Sequence, residues 1–318
     1  MKARLLSDPV EAARWLRQGR LVAFPTETVY GLGADAADER AVAAVYTAKG
    51  RPLDNPLILH VAEVGDAQAV AVWNERALEL ARRFWPGPLT LVLPARPGVP
   101  AAIRAGKPTV AVRCPDHDLA RAFLAAAGRP VPAPSANRSG RPSPTTAAAV
   151  LEELGDRIDA VLDGGPCRMG VESTVVDASG ARLRLLRLGA TPAEDLGLEP
   201  RADPDVEGLS PGTRHRHYAP SIPVHVVDDV EAGLRSHPDA AVLCGASAAA
   251  RLGLRPGPAV CVLPDDPAGR AAGLFDALRR LERSGRACIV APRLEPAGLD
   301  AATADRLRRA SSGTRMDP

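Results

Sequence analysis

Residues 21–61 constrain this chain more than any other stretch. The apolar run Leu21-Val-Ala-Phe24 meets Pro25. Three small polar side chains follow, Thr26, Glu27 and Thr28, and then Tyr30, Gly31 and Gly33. An uninterrupted apolar run closed by proline predicts a strand. Glycines behind a polar turn let the backbone bend close to a ligand. Asp38 is placed to cap a helix in which Val42, Val45 and Tyr46 fall at helical spacing. That helix runs out at Lys49-Gly50-Arg51-Pro52, where glycine stops it and proline forbids continuation. Two cations therefore stand at a helix end, and Asn55, Pro56 and a second apolar run, 57–61, come next.

The rest of the chain reads as elements mixed without strict alternation. Helices are expected from Asp8-Pro9 to about residue 18, over 74–84 and over 118–127. Trp85-Pro-Gly-Pro88 separates the second of these from a strand at 89–93, and a further strand, 107–113, ends on Arg113. The run from Pro130 to Pro144 is too dense in proline and serine for a helix or a central strand. Thr145 is expected to cap a helix to about 154, with short strands at 160–162, 173–177 and 183–187. This predicts an α/β fold with a twisted mixed sheet over 1–190. Prolines then punctuate 191–221, which reads as a linker, and its stretch 210–220, with Arg214, Arg216, His217 and Tyr218 between prolines, reads as a lid that would close over a bound nucleotide, or as a plain tether. Beyond it, strands near 224–227, 240–243, 259–263 and 287–291 alternate with helices. That alternation predicts a smaller, doubly wound parallel α/β domain over 222–318. Two domains suit a length of 318 residues.

Composition narrows the function. The 40 basic and 38 acidic side chains leave a net charge of +2, which argues against a free-standing nucleic-acid binder. Five cysteines show no C-x-x-C spacing, and the first residues form no apolar leader. A reducing cytoplasm is the expectation. No stretch reaches transmembrane length. Two glycine patterns mislead. Gly31-Leu-Gly33 lacks the third glycine of a dinucleotide fingerprint, and Gly165-x4-Gly170 has P-loop spacing but is followed by Val171 and Glu172. His215 and His217 have no cysteine or acidic companions that would complete a zinc site.

Spacing alone leaves alternatives open. Lys49 and Arg51 fit a helix C-terminus favoured by its dipole, and equally a phosphate clamp. Ser135, Asn137, Ser139 and Ser143 fit an ordinary turn, and equally a proline-stiffened loop that orders cheaply around phosphates. Arg113 has the fork that an amino-acid carboxylate requires. His60 alone would read as a structural histidine.

The motifs Pro25-Thr-Glu-Thr-Val-Tyr-Gly-Leu-Gly33, Lys49-Gly-Arg51-Pro, Asn55-Pro-Leu, Pro134-Ser-Ala-Asn137-Arg-Ser139-Gly140, Glu172-Ser-Thr-Val-Val-Asp177 and Ser210-Pro-Gly-Thr-Arg-His-Arg-His-Tyr218-Ala-Pro220 together resemble the YrdC-like family of L-threonylcarbamoyladenylate synthases, in its long two-domain form. The resemblance implies a YrdC-like catalytic domain and a nucleotidyltransferase reaction. L-threonine, bicarbonate and ATP would give threonylcarbamoyl-AMP, pyrophosphate and water, for modification of tRNA beside the anticodon. It implies catalytic roles for Lys49 and Arg51. It implies ATP contacts at Arg51, Asn55, Thr109, Ser135, Asn137, Ser143, Arg187, Arg214 and Tyr218, and threonine contacts at Thr28, His60, Arg113 and Ser173. Ala133 stands where relatives often carry a hydroxyl, so no side-chain contact is carried over there. Mg2+ would arrive mainly on ATP, with no metal ligand of the protein's own assigned. Partners would be the substrates, with tRNA or a downstream threonylcarbamoyl transferase complex beside them, and no membrane. Two anions must meet, and Lys49, Arg51, Arg113 and Arg187 could offset their repulsion. A double-stranded RNA or tRNA-binding module without catalysis is the rival; low aromatic content and near-neutral charge weaken it. Carbamoyl transfer in hydrogenase maturation would need zinc-finger and acylphosphatase-like modules, and neither is visible in the sequence.

Overall fold

The computed structural model describes residues 2–201 and 217–311. The first domain carries two sheets. The smaller runs in the order β1 (Arg4–Leu6), β8 (Ala160–Leu162), β2 (Val22–Phe24) and β3 (Gly31–Gly33), with only β3 antiparallel. The larger runs β10 (Arg184–Arg187), β9 (Thr174–Asp177), β5 (Leu89–Pro94), β6 (Thr109–Arg113), β4 (Ile58–His60) and β7 (Val131–Ala133). Its β5–β9 and β4–β6 pairs are parallel and the others antiparallel. The mixed pairing matches the expectation, but it is divided between two sheets.

Prolines explain the seam between them. Within β7, Val131 and Ala133 pair with His60 and Ile58 of β4. The carbonyls of Pro132 and Pro134 turn the other way and accept from the amides of Ala34 and Leu32 at 3.3 and 2.8 Å. Proline has no N–H to offer on that side. A Pro-rich strand can therefore close the edge of one sheet and still receive hydrogen bonds from the other.

Helices α1 (Pro9–Arg17) and α5 (Asp118–Ala127) cover one face of the smaller sheet, burying Leu16, Phe123 and Leu124 against Leu6, Phe24 and Leu162. The opposite face shares one core with the larger sheet: Ala23 and Leu32 join Leu59, Leu91, Val112 and Val176. Helices α2 (Glu39–Lys49), α3 (Val64–Val70), α4 (Glu75–Phe84) and α6 (Ala147–Leu154) pack around it. Burial on both faces is why 21–24 is continuously apolar rather than alternating. Each fully buried leucine contributes about 1.5–3 kcal/mol.

Local signals hold for α2. Asp38 accepts from the amide of Arg40 at 2.9 Å, and Gly50 ends the helix with φ 62°. One cap is corrected: Thr146, not Thr145, closes the start of α6, accepting from Ala149 at 3.2 Å. Strands β1 and β3 and helix α3 had no sequence expectation. Residues at the start of the expected linker are core: Ala193 and Leu196, beside a short 3-10 turn (Glu194–Leu196), sit in the main cluster.

The second domain is a four-stranded parallel sheet in the order β11 (Val224–Val227), β14 (Cys288–Pro292), β12 (Ala240–Gly245) and β13 (Val260–Leu263). Period-two alternation sends Ala241 and Leu243 towards α9 (Pro267–Glu282) and α10 (Asp300–Ser311). Ala240, Val242 and Cys244 face α7 (Val230–Ser236) and α8 (Ala246–Arg251). Helices α9 and α10 also meet the first domain. Arg279 pairs with Glu153 at 2.8 Å, both buried; Arg141 holds Glu282 through two bonds of 2.6 Å; and Arg306 reaches Glu172 at 2.9 Å.

Candidate active site

The polar turn after β2 is built by Thr26. Its hydroxyl oxygen accepts from the amides of Thr28 and Val29 at 3.1 and 3.2 Å, and its proton goes to the Val29 carbonyl at 2.7 Å. A hydroxyl has one proton, so in the 2.8 Å contact between the two threonines Thr28 is the donor. The oxygen of Thr28 then accepts from Arg113 Nη1 at 2.9 Å. Arg113 also donates through Nε to the Gly87 carbonyl at 3.2 Å, and its Nη2 lies 2.7 Å from Glu27 Oε2. That last contact is an ion pair without hydrogen-bond alignment, and both Glu27 oxygens are buried. Strand β6 thus delivers Arg113 pre-oriented, with its charge balanced from behind.

Around this point seven of the expected residues line one cleft: Arg51, His60, Arg113, Ser135, Ser173, Arg187 and Tyr218. His60 Nδ1 sits 3.1 Å from the Ile58 carbonyl. A carbonyl only accepts, so Nδ1 carries the proton and Nε2 is an acceptor. Burial, reinforced by Arg113, pushes the His60 pKa down to about 3, so the ring is neutral. Arg187 grips Ser173, donating from Nη2 to its carbonyl at 2.8 Å and its hydroxyl at 3.1 Å; Thr90 Oγ1 lies 2.7 Å from the same hydroxyl. Arg51 donates to the carbonyls of Asn55 and Pro56 at 3.2 and 2.9 Å. Burial, with Arg187 acting in the same direction, lowers its pKa to about 10.

Other expected residues stand behind the wall. Lys49 does not line the cleft. Its buried Nζ donates to the carbonyl of Ser135 at 2.5 Å and to that of Asn137, while its own carbonyl accepts from Ser139 at 2.8 Å. It ties the 135–139 loop to the end of α2. Burial first, and Arg51 second, hold its pKa well below the usual lysine value. Asn55 and Asn137 are buried, each with an amide oxygen that has no partner among the described residues. Ser143 donates to Glu172 at 2.6 Å. Thr109 begins β6, about 13 Å along the strand from Arg113 at ordinary strand rise. Thr28 acts through Arg113, and Arg214 lies outside the described residues.

The cleft also holds two groups that the sequence did not assign, Glu172 and His217. Glu172 is buried. Burial pushes its carboxyl up, but Arg306 and Arg187 outweigh that and hold it below the ordinary carboxylate range. His217 lines the wall with an unpartnered Nε2, and burial takes its pKa to about 3. Tyr218 has φ 64°, uncommon for a bulky residue. Its ring stacks 5.5 Å from Phe275 of α9, with the Arg306 guanidinium 5.1 Å from its centroid. Glu172, His217 and Tyr218 lie within motifs quoted above; Arg306 has no sequence signal. Three guanidiniums and small hydroxyls around one cleft suit a ligand pair that is anionic and small.

Comparisons with known proteins agree with that chemistry. A family model described as Telomere recombination, covering Sua5, YciO and YrdC proteins, matches residues 14–189. One described as Threonylcarbamoyl-AMP synthase, C-terminal domain, matches 183–312. The chain is similar to a threonylcarbamoyl-AMP synthase of Pyrococcus abyssi, 44% identical over 315 residues, covering 94% of this chain and 93% of the relative. It is 38% identical over 338 residues to one of Bacillus subtilis, covering 96% and 94%. Its structure matches the crystal structure of P. abyssi Sua5 complexed with L-threonine at a TM-score of 0.88, with 41% identity over 98% of both chains.

Proposed function

The chain belongs to the Sua5–YciO–YrdC family in its two-domain form and is a threonylcarbamoyl-AMP synthase, and from that premise we propose that it makes its product from L-threonine, bicarbonate and ATP. The observation that carries the substrate reading is the arrangement of guanidiniums. Arg113, neutral His60 and Ser173 share one cleft with Arg51 and Arg187. A relative is crystallised with L-threonine, and Arg113 has the fork for its carboxylate. A second, larger anion then meets Arg51 and Arg187.

The threonine amine and bicarbonate combine to a carbamate with loss of water. A carbamate oxygen attacks the α-phosphorus of ATP, and pyrophosphate leaves with the bonding electrons. Both reactants are anionic, so the rate depends on fixed positive charge and alignment rather than on a nucleophilic side chain. Lys49 works one step back, holding the loop that presents Ser135. Among the described residues no three His, Cys, Asp or Glu side chains cluster into a metal cradle, and Glu172 already has Arg306. Mg2+ would be carried in on the triphosphate, where it would neutralise the leaving pyrophosphate.

The product is a mixed anhydride, consumed by transfer of its threonylcarbamoyl group to the adenosine beside the tRNA anticodon. The RNA-module reading is not favoured, because the relatives that cover 94% and 96% of the chain are named synthases. Among the described residues no helix is long and apolar enough to cross a membrane. The test is pyrophosphate release with each substrate omitted in turn, together with incorporation of labelled bicarbonate into a nucleotide product. Release that ignores threonine or bicarbonate would overturn the substrate reading.

A further inference from the structure

We propose that Arg306, on the last helix of the second domain, is a positioning residue for nucleotide binding in the first. It does so by occupying Glu172 and by fixing the Tyr218 ring against the cleft. The inference rests on reading this cleft as the ATP site.

Glu172 is the difficulty that Arg306 answers. A buried carboxylate lines a cleft that must admit a triphosphate, and an unpaired charge there would repel the phosphates. Its two oxygens are taken by separate partners: Oε1 accepts from Ser143 at 2.6 Å, and Oε2 from Arg306 Nε at 2.9 Å. Arg306 is itself among the largest fully buried side chains, at 0% exposure. It is fixed on its own side by Asp305, 3.0 Å from Nη1. Its guanidinium lies 5.1 Å from the centroid of Tyr218, whose ring also packs against the Phe275 ring of α9 at 5.5 Å and the His217 ring at 5.4 Å. Arg306 does not line the cleft, so it acts through Glu172, Ser143 and Tyr218. Tyr218 lines the cleft and is expected to meet ATP, with Ser143 behind it, whereas no hydrogen bond or ion pair joins Arg306 to Thr28, His60, Arg113 or Ser173, the groups expected to meet threonine. A defect in Arg306 should therefore fall on one substrate. A buried ion pair of this kind adds little net stability, but removing one partner strands the other. The second domain then does more than pack against the first: it completes the electrostatics of the nucleotide half of the site.

The experiment uses full-length Arg306→Met, Arg306→Lys, Glu172→Gln and the double variant Arg306→Met with Glu172→Gln. Pyrophosphate release is measured with ATP varied at saturating threonine, and the reverse, beside thermal unfolding. Arg306→Met should raise the KM for ATP about tenfold or more, the loss of one charge-assisted bond. The KM for threonine should move by less than about threefold, since no threonine group is touched. Lysine keeps the charge without the planar fork and should fall between. The double variant has no stranded carboxylate, so it should be better than the product of the two single losses. Equal rises in both KM values, an unchanged KM for ATP in folded Arg306→Met, or a strictly multiplicative double variant would overturn the inference. If the methionine variant does not fold, the lysine variant decides by the same split. Calorimetric titration with ATP separates the two readings. Wild-type protein that binds no ATP fails the functional reading and the inference with it. Wild-type and Arg306 variants that bind ATP equally fail the inference alone.

Discussion

Replacing Arg51 separates two jobs that the structure gives one side chain. Its guanidinium donates to the carbonyls of Asn55 and Pro56, and it also lines the cleft. The Asn55 carbonyl keeps only a long contact, 3.4 Å, from the Tyr46 hydroxyl, whose one proton has the Ala102 carbonyl at 2.9 Å, and among the described residues the Pro56 carbonyl has no other donor. Arg51→Met therefore orphans at least one buried carbonyl and removes two charge-assisted bonds. An orphaned buried group costs about 1–3 kcal/mol, and each charge-assisted bond contributes about 1.5–3 kcal/mol, partly the same energy counted twice; a stability loss of about 2–4 kcal/mol follows. Losing a phosphate contact of the same strength lowers kcat/KM by about ten- to a hundredfold. The assays are urea unfolding without ligand and pyrophosphate release with ATP varied. Arg51→Lys tests the fork: a compact ammonium retains attraction for phosphate but cannot span both carbonyls, so it should recover more activity than stability. Folded Arg51→Met with wild-type kcat/KM for ATP would refute the clamp. A wild-type urea midpoint would refute the structural role.

Gly189→Ala should be strongly destabilising, by about 3 kcal/mol or more. A Cβ there would lie 2.2 Å from backbone atoms of Ser173 and Thr174, which cannot rotate away; a wild-type thermal midpoint would disprove it. Stability should fall in mild acid, because His60 and His217 have pKa values of about 3 against an ordinary 6.5. A histidine with a depressed folded pKa stabilises fully above 6.5 and loses that contribution as pH falls towards 3. Two such groups give a drop of about 2–3 kcal/mol between pH 7.5 and 5.5 in urea unfolding, and equal stability at both would contradict it. Threonine should exceed serine in kcat/KM by about ten- to two-hundredfold, the worth of one methyl in a pocket, and equal values would count against it.

Legibility in the sequence followed locality. Helix α2 was readable because Asp38, the apolar spacing and Gly50 are all within its own length. Strand β3 was not, because Gly31 and Gly33 are poor strand formers. Their reason is tertiary: a Cβ on Gly33 would lie 2.9 Å from Val131 Cγ1 and 3.2 Å from the Val22 carbonyl, so only glycine lets the two sheets meet. Arg113 and Arg187 showed as strand-end cations, and both line the cleft. Lys49 showed the same charge and spacing as Arg51, yet it points at two carbonyls instead. Nothing in the sequence of a lysine distinguishes a carbonyl partner from a phosphate.

The least legible feature was the junction between domains. Arg306 and Glu172 are 134 positions apart, and Arg279 and Glu153 are 126 apart. Neither pair has a local signature, and in a near-neutral chain each looks like one more solvated charge. Yet buried charge has to be balanced, and the first domain alone does not balance it evenly. Glu172 and Glu153 sit at 5% and 4% exposure, and α9 and α10 supply their buried partners. At the same junction Gly170 leaves no room for a side chain, since a Cβ would meet the Ala271 carbonyl at 2.3 Å. The contact is therefore close-packed as well as charge-matched. Separating the domains would leave Glu172, in the wall of a cleft proposed to attract phosphate, without its Arg306 partner, which is how the proposed role of the second domain would reach the chemistry without touching the substrate.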